Sequence, residues 1–555
     1  MRGNHLSSLV FRFVDYTKTK EDTAMIFLIW AAVLLAIIYI YHRRAYSRFS
    51  SNDVKYIPPA PFIGNVGPII FRKIHFVDDL TRFYASFPDE RFVGRYEFMN
   101  SIIILRDLEL IKKITIKDFE YFLDHRGFAD EEVEPIFARN LFSLKGDEWK
   151  DMRSTLSPAF TSSKIRVMVP FMEEVGNQMT ALMAKRINDN RGEAVEMDVR
   201  DLTRRYANDV IASCAFGLKV DSQTKDTEFF EMGKRASSFK LRQMIMFFAY
   251  SALPGLVKRL KMTLFSKETT NFFTNVVMDT MRHREAHNII RPDMIHLLME
   301  AKKGQLQHED KSKSTIRDAG FATVEESAVG KKVIQRNWSD NDLIAQAVLF
   351  FIGGFETISS AMSFTLRELA LCPEAQEKLA KEIKEDSLKN GGKIDYNSIH
   401  NLPYMDMVIS EVLRLWPPGF QLDRVCAKDY NLGRANDASQ KDYILRKGEQ
   451  VIIPVWPIHR NPEYFPNPDK FDPERFSAEN KHLIKPMAYM PFGVGPRNCI
   501  GSRFALLEVK MFIYQFLLKL EVSPSSKTEP KAKLALDSFN LNLEGGTWLN
   551  FKIRQ

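Results

Sequence analysis

Hydrophobic positions fall into three spacings along this chain. Residues 24–41 are uncharged and mostly apolar, and as a helix this run would span about 27 Å, enough to cross a bilayer. Residues 91–98 and 101–105 carry aromatic and β-branched side chains on either side of Met99 and Asn100, which predicts a β-hairpin. Helical spacing dominates the rest. Ser339, with Asp342 three residues on, resembles a capping box, and the chain then stays apolar on nearly all sides until Pro373. As one buried helix this segment would reach about 45 Å, enough to cross a domain. Gly353 and Gly354 interrupt it at roughly 1 kcal/mol each relative to alanine, and Glu356 places a carboxylate in apolar company. A last apolar run, Ala505, Leu506, Leu507 and Val509, follows Gly501 at helix spacing. The expected fold is mainly α with small β-sheets (α+β).

Breaks between these elements set the domain plan. Tyr39 and Tyr41 stand at the interfacial end of the first run, which also holds Trp30, and His42, Arg43, Arg44 and Arg48 follow as a basic flank. The apolar core exceeds a signal h-region and no small-residue cleavage site follows, which favours an uncleaved transmembrane anchor over a removed signal peptide. Arg2, Arg12, Lys18 and Lys20 precede the anchor, so charge bias alone does not orient it. A start at Met25 would remove them, and residues 1–23 are expected to be an N-terminal extension absent from the working protein. Residues 42–61 join the basic flank to a stiff Pro58-Pro59-Ala60-Pro61 hinge. Residues 62–555 show no repeat and no Gly/Ser linker, and read as one domain. Within them, 122–140 read as a loop broken by Gly127 and Pro135. Residues 241–265 pass from Phe247, Phe248, Tyr250, Leu253 and Pro254 into Lys258, Arg259 and Lys261. They support either a segment dipping into a membrane or a core helix with a solvated charge cluster. Residues 302–337 read as a mobile connection.

A net charge of +8 suits nucleic acid, an anionic membrane or an acidic protein; the apolar first segment selects a membrane-bound protein without a nucleic-acid role. Cys214, Cys372, Cys426 and Cys499 show no CxxC spacing, so neither a disulfide framework nor a zinc site is expected, and the thiols face the cytosol.

Cys499 is the cysteine with a context. Pro-Phe-Gly-Val-Gly-Pro-Arg-Asn-Cys-Ile-Gly-Ser-Arg-Phe spans 491–504, so glycines and Arg497 crowd one sulfur just before a helix N-terminus, an arrangement that favours a thiolate. Phe492, Gly493, Gly495, Arg497, Cys499 and Gly501 match, position by position, the haem-binding loop of the cytochrome P450 haem-thiolate monooxygenases. The chain resembles this family from about residue 24 to its end, and the proline hinge resembles that of microsomal members. Residues 318–331 resemble a connection seen in insect family-nine members.

The resemblance implies the cytochrome P450 fold, with haem b held by Cys499 as axial thiolate metal ligand and Phe492 beside it. It implies that Trp149 and Arg153, four apart on one helix, together with Arg497, Arg424 and His125, meet the haem propionates. Gly353, Gly354, Glu356 and Thr357 match the oxygen-activation motif, with Thr357 and Glu356 delivering protons. Ile358 stands where most members have Thr or Ser, with Ser359 and Ser360 beyond, so the route past Thr357 stays open. Glu411, Arg414 and Arg475 are expected to form a buried network bracing the proximal side.

The same resemblance turns Phe128, Ala345, Gly353, Gly419, Phe420 and Phe539 toward a distal substrate pocket. No Lys or Arg is expected among them, so neutral lipophilic substrates follow, whether xenobiotic or endogenous lipid. The implied partners are an NADPH-dependent flavoprotein reductase, docking at Lys145, Lys150, Arg503 and Lys510, and cytochrome b5. The implied location is the endoplasmic reticulum membrane, with a cytosolic catalytic domain. Competing readings are a haem-thiolate isomerase or dehydratase acting on peroxides, against which the Glu356-Thr357 pair argues, and a non-catalytic haem sensor.

Overall fold

The computed structural model describes residues 4–238, 240–304, 321–322 and 338–555, with side chains from Met25 onward. Most of the expected connection at 302–337, and with it most of 318–331, lies outside the described residues. One helix runs from Asn4 to Ala45, through both the expected extension and the anchor. Its most apolar window has a mean hydropathy of 2.3 and none of it is buried against the rest of the protein. An apolar helix bare on every side needs a hydrocarbon surrounding, which makes it a candidate anchor. Tyr46 and Phe49, just beyond, are already in the core.

The hairpin forms as Phe92–Glu97 and Asn100–Leu105, antiparallel, with Phe92 opposite Leu105. Two further strands, Gln450–Ile453 and Leu422–Val425, complete a four-stranded sheet. Side chains alternate between two cores. Ile103, Leu105, Val451 and Ile453 pack with Phe49 and Tyr96 on one face; Ile102, Ile104 and Ile452 pack with Phe76, Phe83 and Phe248 on the other. Burial on both faces explains why Ile102 to Leu105 reads as an unbroken apolar run rather than an alternating one. A three-stranded sheet joins Val195–Asp198, Trp548–Ile553 and Leu520–Pro524 near the C-terminus.

The long helix spans Asp340–Leu371, and both halves of the Ser339/Asp342 capping box are present. It too is long and apolar enough to cross a membrane, but 61% of its apolar window is buried, as befits a core helix. Its second half packs with Val199–Ile211 and Ser502–Lys519 in the main core, while Phe351 and Phe355 join Phe216, Phe229 and Phe273 in a second. Phe350 touches both. Residues 241–265 form the helices Leu241–Ala252 and Pro254–Arg259. Met244, Met246 and Phe248 are buried, yet Leu253, Leu256 and Leu260 are 48–59% exposed. Core and bare apolar surface share this segment.

Candidate active site at the cysteine loop

The cysteine loop turns through Gly493 and Gly495, at φ of +74° and +71°. A Cβ on Gly495 would stand 2.0 Å from the Thr115 carbonyl oxygen, so left-handed backbone and close approach both require glycine there. The Cys499 N–H donates to the Phe492 carbonyl at 2.8 Å, and Gly501 precedes the helix Ser502–Lys519. Cys499 keeps open surface while its neighbours are covered. Burial pushes its thiol pKa up, against the Gly501 N–H and the charge of Arg153, which both favour the thiolate; a bound metal would favour it further.

Five further candidates gather beside this loop. Trp149 and Arg153 sit on the helix Gly146–Leu156, both buried. Arg497 lies over the Trp149 ring at 4.0 Å and donates to the carbonyls of Leu123, Leu141 and Leu144 at 2.6, 3.2 and 2.8 Å. Arg153 donates to the main-chain and side-chain oxygens of Asn498, both at 2.8 Å, and its Nε has no partner among the described residues. Arg424 reaches the carbonyls of Asp423 and Val494. Burial lowers the pKa of Arg153 and Arg424 to about 10 and of Arg497 to about 9.

His125 Nδ1 meets Asp423 Oδ1 at 3.0 Å and its ring stacks on Phe142 at 4.5 Å. Burial lowers its pKa despite Asp423, so His125 is a neutral hydrogen-bonding imidazole rather than a cation. Asp423 stays ionised; burial opposes this, but His125, the Arg126 N–H and Arg424 hold its pKa at about 2. Three buried guanidiniums satisfied mainly by carbonyls fit an added dianion such as paired propionates. Among the described residues no cluster of three His, Cys, Asp or Glu could hold a metal, so iron at Cys499 would take its other donors from a macrocycle.

On the long helix, Gly353 and Thr357 are exposed within a buried stretch. They lie four apart on one face; a Cβ on Gly353 would meet nothing within 4 Å, and the Thr357 hydroxyl donates to the Gly353 carbonyl. One turn back, Phe350 packs edge-on to Phe160 at 5.2 Å, and Phe160 is the neighbour, at 3.7 Å, that a Cβ on Gly501 would meet. Phe350 and Phe160 thereby link the long helix to the turn that follows Cys499. Ile358 and Ser360 are buried, and Ser359 donates to the Glu356 carbonyl at 3.1 Å.

Glu356 is clamped instead of free. Arg200 and Arg204 hold its carboxylate at 2.5 and 2.8 Å, and Asn540 donates to it at 3.1 Å. Burial alone would raise its pKa, but the two arginines hold it below the usual carboxylate range. It is an anchored anion in this arrangement, whereas a proton carrier was expected. Arg200, Arg204 and Asn540 carried no local signal, because their partner is more than 150 residues away.

Phe128, Phe420 and Phe539 come together through two rings that sequence reasoning missed. Phe247 stacks on Phe128 at 5.0 Å and meets Phe539 at 5.4 Å; Phe76 meets Phe539 at 5.6 Å and Phe420 at 5.8 Å. Gly419 is open. Ala345 is fully buried and lines no open face, since eight residues place it about 80° around the helix from Gly353. The expected absence of a cation is also corrected: Arg126 lies 4.6 Å over Phe247 and pairs with Glu97.

Arg414 donates to both oxygens of Glu411 at 2.7 and 2.9 Å, and Arg475 lies 3.4 Å from the same carboxylate. Glu411 and Arg414 are fully buried. Of the expected docking cations, Lys145 is exposed and Lys150 half-buried against Glu120 at 2.8 Å. Lys510 is a correction: it is fully buried and paired with Asp406, because the helix Ser502–Lys519 is enclosed along that face.

A lone cysteine in a glycine-built turn, three buried arginines and an open glycine–threonine face on a core-crossing helix define the haem-thiolate class. The chain belongs to the cytochrome P450 family, whose model matches residues 55–548. It is 42% identical to "Cytochrome P450 9e2" of Blattella germanica, covering 94% of this chain and 96% of the relative. It is 38% identical to "Probable cytochrome P450 9f2" of Drosophila melanogaster (93% and 97% covered) and 35% identical to "Cytochrome P450 6k1" of Blattella germanica (94% and 96%). Family membership gives a general haem monooxygenase role, and these insect relatives agree with the family-nine resemblance.

Proposed function

We propose that this protein inserts one atom of dioxygen into neutral lipophilic small molecules, using electrons from NADPH passed on by a flavoprotein reductase, with cytochrome b5 as a further donor. The observation that carries this reading is the coincidence of three open positions, Cys499, Gly353 and Thr357, within otherwise buried elements. Haem b bound at Cys499 supplies the redox chemistry. Cys499 Sγ would hold the haem iron, with Phe492 beside it. Arg153, Arg424 and Arg497 would neutralise the propionates, with Trp149 and His125 as hydrogen-bond partners. Thr357 is the protic side chain on the open face and passes a proton at Oγ1; clamped Glu356 holds the helix in register beside it. The aromatic cluster excludes water and binds substrate by buried area, at about 25 cal/mol per Å².

Residues 24–41 anchor the protein in the endoplasmic reticulum membrane and leave residues 62–555 as a cytosolic domain. Tyr46 supports a tight junction between the two, since its hydroxyl donates to the Phe98 carbonyl at 3.0 Å. Lys145, Lys150 and Arg503 steer the acidic reductase.

Reconstitution with a reductase and NADPH tests the reading. Neutral lipophiles are expected to give reductase-dependent oxygenated products, and Cys499→Ser is expected to lose the thiolate-type carbon monoxide spectrum together with turnover. Rearrangement of a peroxide without reductase, and no oxygenation with it, would establish the isomerase reading instead.

A further inference from the structure

Two buried ion pairs stand directly behind the aromatic cluster. Arg95 and Glu97 leave the strand Phe92–Glu97 two residues apart, hence on one face. Arg95 pairs with Asp79 at 2.8 Å, while Arg126, from the irregular loop, grips both oxygens of Glu97 at 2.9 and 2.5 Å. All four side chains are buried. Both guanidiniums also lie against rings of the cluster, Arg126 on Phe247 at 4.6 Å and Arg95 on Phe76 at 5.4 Å. Arg95 shares Asp79 with the part-exposed Arg82, at 2.7 Å, while Glu97 takes both N–H groups of Arg126, so Arg126 presents no uncompensated charge to the rings.

We propose that Glu97 is a specificity-determining residue that cancels Arg126 at the pocket wall and so excludes lipophilic carboxylates, which Arg126 would otherwise bind. This rests on the reading that the aromatic cluster walls the substrate pocket. A carboxylate entering there must take Arg126 from Glu97 and leave that buried carboxylate without its bidentate guanidinium, and breaking a buried ion pair is strongly destabilising. A neutral molecule of the same length meets only the rings. With Glu97 neutral, Arg126 becomes an uncompensated bidentate donor against the aromatic cluster, the arrangement that holds a carboxylate.

The test uses the full-length holoprotein, with dodecanol and dodecanoate as probes, read by equilibrium dialysis and by thermal melting. Wild type is expected to bind dodecanol and to bind dodecanoate at least about tenfold more weakly. Glu97→Gln should bind dodecanoate about tenfold more tightly than wild type while dodecanol changes by less than about twofold. Its melting temperature should fall and be restored by dodecanoate, not by dodecanol. Glu97→Asp, which keeps the charge, should still reject dodecanoate. A folded Glu97→Gln protein with no gain for dodecanoate, or one that dodecanoate fails to stabilise, overturns the proposal. Wild type that binds neither probe overturns the lipophilic-substrate reading itself.

Discussion

Gly495 and Asp209 show how one residue's surroundings fix its consequence. A side chain at Gly495 must adopt φ near +71° and meet the Thr115 carbonyl, at a backbone cost of at least about 1 kcal/mol before the clash. Gly495→Ala should therefore lower haem content per protein and melting temperature. Gly501→Ala, whose Cβ would make only an ordinary contact with Phe160, should change both little. Asp209 is buried and accepts from the Ser222 N–H and the Asn208 side chain. Burial nevertheless pushes its pKa up to about 6. The folded state therefore holds a proton that the unfolded chain releases near pH 4. The stability Asp209 contributes falls as pH rises from about 4 to about 6 and stays lost above. Unfolding of wild type and Asp209→Asn compared across that window should show the difference moving in favour of the variant as pH rises. A difference independent of pH would refute the assignment.

Between elements, the decisive contrast is whether a charge pair is buried. Glu411 joins the helix Pro403–Leu415 to the turn Pro473–Phe476 through Arg414, Arg475 and the Asp472 N–H. Glu411→Ala leaves Arg414 buried without its partner, and denaturant unfolding should record a loss of about 3 to 5 kcal/mol. Lys378 and Glu474 also bridge two elements at 2.6 Å, but both are half exposed. Glu474→Ala should leave stability almost unchanged, because water and salt screen an exposed pair.

For the whole molecule, two bare apolar surfaces stand out, the candidate anchor helix and the exposed leucines beyond Leu241–Ala252. Tyr46 and the Asn100 side chain tie both regions to the hairpin turn, Tyr46 through the Phe98 carbonyl and Asn100 through the Ser251 carbonyl. The two apolar surfaces therefore share a side. Deleting residues 1–44 keeps Tyr46 and Phe49 in the core and should give a haem-binding protein that still floats with liposomes. Adding Leu253→Asp and Leu256→Asp should release it. Extending the deletion through Phe49 should instead cost melting temperature, since a fully buried ring is lost.

By itself the sequence determined what depends on neighbours within a turn or a strand: the anchor run, the hairpin and its turn, the Ser339/Asp342 cap with its long helix, and the cysteine loop before Ser502. These follow from local backbone preference and hydrophobic period. Only the tertiary structure decided which charges are paired and which faces are open. It gave Glu356 to Arg200 and Arg204, buried Lys510 against Asp406, enclosed Ala345 and set Arg126 on Glu97. Each of those outcomes depends on groups brought together from distant parts of the chain. A side chain's charge state and exposure are set by what surrounds it in space, and sequence spacing carries no record of that.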